Sequence, residues 1–438
     1  MKVSIVSLGC SKNLVDTELI LGSLKKVGYE ISASEADADI IIVNTCGFIG
    51  DAKRESINTI IELAEYKNRG KCKRLIVTGC LVERYADELK RELPEVDSFW
   101  GTGNLTKIGE VLKKEKLKKI YKSPPGTLYD PDTPRILTTP SYTAYVKVSE
   151  GCSRTCSFCI IPKMRGPMKS RPVRSIVEEA KRLSDQGVKE INLIAQDMTS
   201  YGRDIGTNLE TLLRELAKVE GIRWIRILYC YPWGFTDSLI NLIAEEDKIL
   251  PYIDMPIQHI NDRILKLMNR KTTRSDIEDI IYRLRTKIPD LTLRTTFIVG
   301  FPGETDREFE ELLEFIKEVR FERVGAFKYS REEGTKAGEM AEQIPEEVKE
   351  ERFERLMEIQ SEISLQKNLQ LIGTFHEAFI EGVESNSYLA RIPSQAPEVD
   401  GITYVERNRR LSTGELVRVR ITDADIYDLF GETVSLPN

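Results

Sequence analysis

The segment EGCSRTCSFCIIP, residues 150–162, places Cys152, Cys156 and Cys159 in one loop with no fourth ligand residue beside them. Thiolates suit zinc and iron–sulfur clusters alike, but a structural zinc site closes with four ligands. The next cysteine, Cys230, lies far along the chain, and the only histidines are His259 and His376, so metal chemistry here rests on sulfur. Just before the loop, Ala144–Ser149 has the apolar character of a strand. Similar runs recur at Glu190–Ile194, Trp224–Leu228, Tyr252–Pro256, Thr292–Val299 and Arg323–Lys328. Helical periodicity separates them, as at Ser175–Gln186 and Arg307–Val319. Six β/α units without a Rossmann glycine fingerprint predict a complete or partial (β/α)6 barrel whose chemistry sits on loops after the strands. The three-cysteine loop follows the first of those strands.

Upstream, strand-like runs at Val3–Leu8, Asp39–Val43 and Arg74–Val77 alternate with helical patterns at Asp16–Val27, Asp51–Tyr66 and Glu83–Glu92. The alternation predicts an N-terminal parallel α/β domain over residues 1–123. The stretch from Lys122 to Ser141 carries five prolines and little apolar periodicity, so residues 124–140 read as an extended linker. The central domain then spans 141–369 and closes with a long charged amphipathic helix from Pro345 to about Leu369. From 370 to 438, short alternating runs separated by turn residues predict a small antiparallel β-barrel.

The totals agree with this layout. A chain of 438 residues is too long for one core and accommodates about three domains. Its 41% hydrophobic and 31% charged residues are those of an ordinary globular protein. No apolar run approaches the ~18 residues of a membrane span, and no signal-peptide pattern follows Met1, so a cytoplasmic protein is expected, with no membrane partner. A net charge of −6 argues against strong nucleic-acid binding. In a reducing compartment, eight cysteines are metal ligands, catalytic groups or buried apolar residues rather than disulfides.

Three further cysteines have a common setting. Cys10, Cys46 and Cys80 each follow a predicted strand and precede a helix, which puts them along the one edge of a parallel sheet where ligands bind. Gly9, Gly47 and Gly79 beside them permit close backbone approach. Spacing alone leaves two readings open, a second metal cluster or three small buried thiols with turn glycines. Similarly, the turn containing Gly300 and Glu304 in TTFIVGFPGET (Thr295–Thr305) reads either as a ligand contact or as a tight strand-to-helix turn. His259 reads either as a base or as a strand-end histidine bonded to a neighbour.

The CxxxCxxC spacing, with Phe158 just before the third cysteine, resembles the radical S-adenosylmethionine superfamily. That resemblance implies a 4Fe–4S cluster on Cys152, Cys156 and Cys159, whose open iron takes the amino and carboxylate groups of S-adenosylmethionine. Phe158, Gln196 and Asp197 of LIAQD, Gly300 and Glu304 are the cofactor contacts it implies. LGCSKNLVDTE (Leu8–Glu18) and NTCGFI (Asn44–Ile49) resemble the N-terminal module of the methylthiotransferase family. A second 4Fe–4S cluster is thereby implied for Cys10, Cys46 and Cys80, together with an electron donor. Cys72 and Cys230 match neither triplet. In such a family one cluster, once reduced, splits S-adenosylmethionine to a radical that removes a hydrogen, and the other presents sulfur.

Two substrate classes are known in the family, an adenosine in the tRNA anticodon loop and an aspartate in a ribosomal protein. IIPKMRGPMKSRP (Ile160–Pro172), AQDMTSYG (Ala195–Gly202), MPIQHINDRILKLMNR (Met255–Arg270) and APEVDG (Ala396–Gly401) resemble the second branch, which acts on the β-carbon of an aspartate in the twelfth small-subunit ribosomal protein. The resemblance covers essentially the whole chain and implies a TRAM-like C-terminal barrel. From Gln370 onward that barrel carries eleven acidic residues against six arginines, a net of −5. Such a surface repels RNA and suits a basic ribosomal protein, although Arg407, Arg409 and Arg410 form a local basic cluster. The alternatives are a tRNA methylthiotransferase and a non-enzymatic iron–sulfur scaffold or electron carrier.

Overall fold

The structure is a computed structural model that describes residues 1–103, 105–114 and 116–434. Its first sheet holds β1 (Lys2–Ser7), β2 (Glu30–Ile31), β3 (Ile40–Thr45), β4 (Arg74–Gly79), β5 (Ser98–Trp100) and β6 (Ile120–Tyr121), all parallel, in the order β2-β1-β3-β4-β5-β6. The central strand, IIIVNT, is buried along its whole length because helices cover both faces. Strand order reverses between β1 and β3, which opens a crevice beyond their carboxyl ends. Cys10, Cys46 and Cys80 follow β1, β3 and β4 there.

The second sheet contains β7 (Thr143–Lys147), β10 (Glu190–Ile194), β11 (Trp224–Ile227), β12 (Ile249–Asp254), β13 (Thr292–Val299) and β14 (Arg323–Lys328), with β8 (Ser149–Glu150) and β9 (Lys169–Ser170) forming a small ribbon beside it. Its six strands are parallel, in chain order from β7 to β14, and the two edges do not pair, so the barrel is partial. Ile191, Leu193, Ile225, Ile227 and Leu293 face the helices and form the main core with Ala180, Leu212, Leu239, Ile281 and Leu312. On the concave side, Val15 and Leu19 from the helix Ser11–Lys26 meet Tyr145, Trp224, Leu228 and Tyr252. Burial on both sides of that helix explains why nearly all of its first fourteen residues are inaccessible.

The C-terminal unit comprises β15 (Phe375–Glu384), β16 (Ser387–Arg391), β17 (Thr403–Glu406), β18 (Leu416–Ala424) and β19 (Leu429–Thr433), closed in the order β15-β16-β17-β19-β18. Strand β18 turns Val417, Val419 and Ile421 inward and Arg418 and Arg420 outward. An antiparallel barrel was the expectation, and one neighbouring pair, β17 with β19, is parallel. The reason is arithmetic: a closed ring of five strands cannot alternate direction all the way round.

This barrel plugs the concave side of the central sheet. Arg391 pairs with the buried Glu190, Arg226 donates to the Pro393 carbonyl at 2.8 Å, and Tyr252 donates to Asp400 at 2.7 Å. Tyr142 donates to Glu381 at 2.7 Å. Two of the eleven acids and one of the six arginines therefore serve docking rather than the solvent surface. The proline-rich stretch is extended, but it is also an ordered strap: Arg135 bonds Glu18 of the first unit and Glu179 of the second, both at 2.8 Å. Those buried carboxylates need a cation, which a solvated linker would not supply.

Candidate active site between two cysteine triplets

Cys10 caps the helix Ser11–Lys26, and Cys80 is the first residue of the helix Cys80–Glu92. The crevice is tight. A Cβ on Gly9, whose φ is +87°, would stand 2.7 Å from the Cys46 Cβ, and one on Gly79 (φ +103°) would stand 2.5 Å from Asn44 Oδ1. Burial pushes the Cys80 thiol up to about 12, against the pull of Arg165, and the charges of Cys10 and Cys46 add to the rise. Burial also raises Cys46, whereas at Cys10 it is outweighed by Lys12, Arg165 and the Asn13 and Lys12 amides, which leave that thiol lowered. Cys80 Sγ also reaches Asn13 Oδ1 at 3.9 Å, and Asn13 bonds the Leu8 and Thr45 carbonyls, so the strand ends that carry the three cysteines lie against one another.

Cys152, Cys156 and Cys159 follow β7 and β8 and repeat the pattern. Burial pushes Cys152 up to about 11 and Cys159 to about 12, and Cys156 opposes ionisation of both. The loop is clamped from outside: the Ser157 amide donates to the Met268 carbonyl at 2.9 Å, its carbonyl accepts from the Ala337 amide at 2.9 Å, and Asn269 donates to Thr155. Among the described residues no three His, Cys, Asp or Glu side chains gather closely enough to hold a single ion. A four-iron cube is larger than an ion, and its positive irons supply the charge that buried thiols need to ionise. Both triplets fit such a group in donor chemistry.

One short element joins the triplets. The helix Ile161–Arg165 leaves the central cysteine loop, and Ile160 and Met164 pack against Cys80. Arg165 donates to Asp16 and to Asn13, both at 2.6 Å, and faces Glu150 at 3.5 Å. Lys147 completes the network with bonds of 2.6 Å to Asp16 and Glu150. Glu150 in turn accepts from Gln196 Nε2 at 3.3 Å, while the buried Gln196 Oε1 has no partner. That orphaned acceptor lacks a donor, which a bound amino group would supply.

The remaining sequence candidates divide. Asp197 is engaged within the protein by Arg154 at 2.6 Å, Ser200 at 2.6 Å and Thr199 at 2.9 Å, and so fixes Arg154 of the cysteine loop. Phe158 packs with Phe301 and Tyr329. Glu304 accepts from the Gly300 amide at 3.1 Å and from Arg352 at 2.7 Å, and a Cβ on Gly300 would stand 2.3 Å from Lys349 Cγ. Glu304 and the Cα face of Gly300 thus serve the turn and the helix packed behind it. His259 is fully buried, its Nδ1 accepts from the Asn261 amide at 3.0 Å, and its Nε2 lies 3.6 Å from Glu304 with no hydrogen-bond partner among the described residues. Cys72 and Cys230 are buried in apolar cores.

Sequence reasoning did not single out Lys12, Asp16, Lys147, Glu150, Arg165 or Tyr229. Lys12, Asp16, Glu150 and Arg165 stood in quoted motifs, but nothing local announces a buried network between residues so distant in the chain. Tyr229 has a φ of +63°, a conformation that bulky residues adopt only under constraint, at the carboxyl end of β11.

Residues 146–316 match the Radical SAM superfamily, residues 2–101 the Uncharacterized protein family UPF0004, and residues 372–434 the TRAM domain. Among solved structures, a radical S-adenosylmethionine methyltransferase, TsrM from Kitasatospora setae, shares the fold with a TM-score of 0.57 at 14% identity over 77% of each chain. Fold, motif loop and match together define a radical S-adenosylmethionine methylthiotransferase, a class that uses S-adenosylmethionine and 4Fe–4S chemistry. Two relatives are called ribosomal protein uS12 methylthiotransferase RimO: that of Geobacter sulfurreducens is 51% identical over 99% of both chains, and that of a Thermoanaerobacter species is 52% identical over 98% of this chain and 99% of its own. The chain belongs to the RimO family.

Proposed function

We propose that this protein transfers a methylthio group to the β-carbon of an aspartate in ribosomal protein uS12. The observation that carries the reading is the junction of the two cysteine triplets through Ile161–Arg165, which ties one sulfur-rich site to the other. Cys152, Cys156 and Cys159 are assigned to one 4Fe–4S cluster, and Cys10, Cys46 and Cys80 to the other. When bound, the first supplies reductive cleavage of S-adenosylmethionine and the second supplies sulfur. The protein's own part is placement: Gln196 Oε1 accepts from the cofactor's amino group, Asp197 holds Arg154 and thereby the cysteine loop, and Phe158 shapes the loop's inner side.

The three functional domains are 1–123, 141–369 and 370–438, with 124–140 as the strap. The barrel's outer acids, among them Glu377, Glu384, Glu406 and Asp423, attract the basic substrate, and the reaction is assigned to the cytoplasm because ribosomal proteins are made there. An electron donor completes the system. The test is anaerobic incubation of the reconstituted protein with S-adenosylmethionine, a low-potential reductant, uS12 and tRNA together, followed by mass spectrometry. A methylthio group on a uS12 aspartate is expected. The same group on a tRNA adenosine instead would overturn the substrate assignment and the electrostatic argument with it.

A further inference from the structure

In the motif that follows Cys10, every buried charged or amide side chain but one has a polar partner. Asn13 bonds the Leu8 carbonyl at 2.9 Å, the Thr45 carbonyl at 3.0 Å and Arg165; Asp16 bonds Lys147 and Arg165; Glu18 bonds Arg135 and the Thr138 amide. Lys12 is the exception. It is only 7% exposed, no carboxylate among the described residues pairs with it, and its ammonium lies 3.1 Å from the centre of the Tyr229 ring. A ring face returns part of the hydration that a buried cation loses, Cys10 and Asp254 feel its charge without forming an ion pair with it, and a directly bonded anion would return the rest.

The position of this cation is specific. Lys12 belongs to the turn that starts at Cys10, and Tyr229 lies just beyond the end of β11 in the central sheet, so the ammonium lies where the two units meet. Tyr229 is fixed in its strained conformation by the hydrogen bond its backbone N–H donates to Asp254 Oδ2 at 2.9 Å and by a contact of 3.2 Å between its hydroxyl and Ser11 Oγ. Asp254 is itself committed to that amide and to Arg294 at 3.4 Å.

Resting on the substrate class proposed above, we infer that Lys12 receives the side-chain carboxylate of the target aspartate. The β-carbon of an aspartate is bonded directly to its carboxylate carbon. A cation that grips the carboxylate therefore fixes the reacting carbon to within one bond, beside Cys10 and the ring of Tyr229. The same cation distinguishes an aspartate from its neutral amide, which would leave the ammonium buried and unpaired.

The test measures binding of two ligands to the reconstituted protein with S-adenosylmethionine present, by titration calorimetry. The ligands are uS12 and uS12 in which the modified aspartate, located by mass spectrometry, is replaced by asparagine. The wild-type protein should prefer the aspartate form by about tenfold or more. Lys12→Met should bind both forms alike, and Lys12→Arg should keep part of the preference. Iron content is measured on every sample, and Lys12→Gln, which keeps a polar group in the same space, replaces the methionine variant where that variant assembles less iron. A wild-type ratio in a charge-neutral variant would overturn the inference and leave Lys12 as a counter-charge for the cysteine site. Failure of the wild-type protein to modify any uS12 aspartate would overturn the substrate reading itself, a separate and visible outcome.

Discussion

Arg165 Nη1 donates to Asp16 Oδ2 at 2.6 Å, and both side chains are at most 4% exposed. This bond ties the helix leaving the central cysteine loop to the helix that begins at Cys10, so the separation of the two cysteine sites is set by a charged contact in a dry interface. Lys147 and Glu150 balance the pair. Removing one member of such a network strands the others, at a cost of about 3–5 kcal/mol. Arg165→Met should destabilise the protein by about that amount in urea denaturation and lower the iron retained by the N-terminal site. An unchanged midpoint would mean that water replaces the guanidinium.

On the proposed assignment, alanine at Cys10, Cys46 or Cys80 should remove about half of the reconstituted iron, because a cluster held by three thiolates would lose its seat with any one of them. Alanine at Cys152, Cys156 or Cys159 should remove the other half and abolish cleavage of S-adenosylmethionine. Cys72→Ala and Cys230→Ala should keep full iron and show only the packing cost of a small buried thiol. Iron and sulfide assays with electron paramagnetic resonance separate these classes, and full iron in a triplet variant would refute its assignment.

The docking of the barrel rests on Glu190, which is fully buried between Arg391 and Arg226. Arg391→Met leaves Glu190 with one cation and should cost about 3–5 kcal/mol. Because the lost contact lies between units, thermal unfolding should split, with a transition for the barrel preceding that of the central unit. A single transition at the wild-type temperature would show that apolar contacts such as Trp224 with Phe379 hold the barrel unaided.

Glu308 offers a pH test. Burial works against its charge, but hydrogen bonds from Arg263 and from the Thr305 amide and hydroxyl outweigh it and hold the carboxyl down at about 2, against an ordinary value of 4.5. A group depressed in the folded state contributes fully above its unfolded value and loses that contribution as pH falls towards its folded value. Glu308→Gln should therefore be less stable than wild type at pH 7, and the gap should shrink between about pH 4.5 and 2. Urea midpoints measured across that window check the sign; a constant gap would assign the loss to packing.

Reversing Glu377, Glu384, Glu406 and Asp423 to lysine should slow capture of uS12 by about tenfold at low salt, with the difference fading as salt rises. Stopped-flow association at two ionic strengths measures it. An equal rate in both proteins would leave the barrel's charge as a solvation feature only.

The sequence by itself determined the six β/α units, the loop that carries Cys152, Cys156 and Cys159, and the strand-end placement of Cys10, Cys46 and Cys80, because period and turn chemistry are local and each of those features is encoded within a few residues. It also carried enough motif to indicate the family. Whether the second triplet converges was open until strand order was known, since three loops widely separated in the chain meet only if β1, β3 and β4 are neighbours. Tertiary structure alone decided that Arg165 bridges the sites, that Glu304 supports a turn, that Arg391 and Asp400 are docking groups within an acidic barrel, and that Lys12 is a buried cation with no ion pair among the described residues. These are facts about partners. A charged residue looks the same in sequence whether it faces water or another chain segment, and only the fold brings its partner near or leaves the place empty.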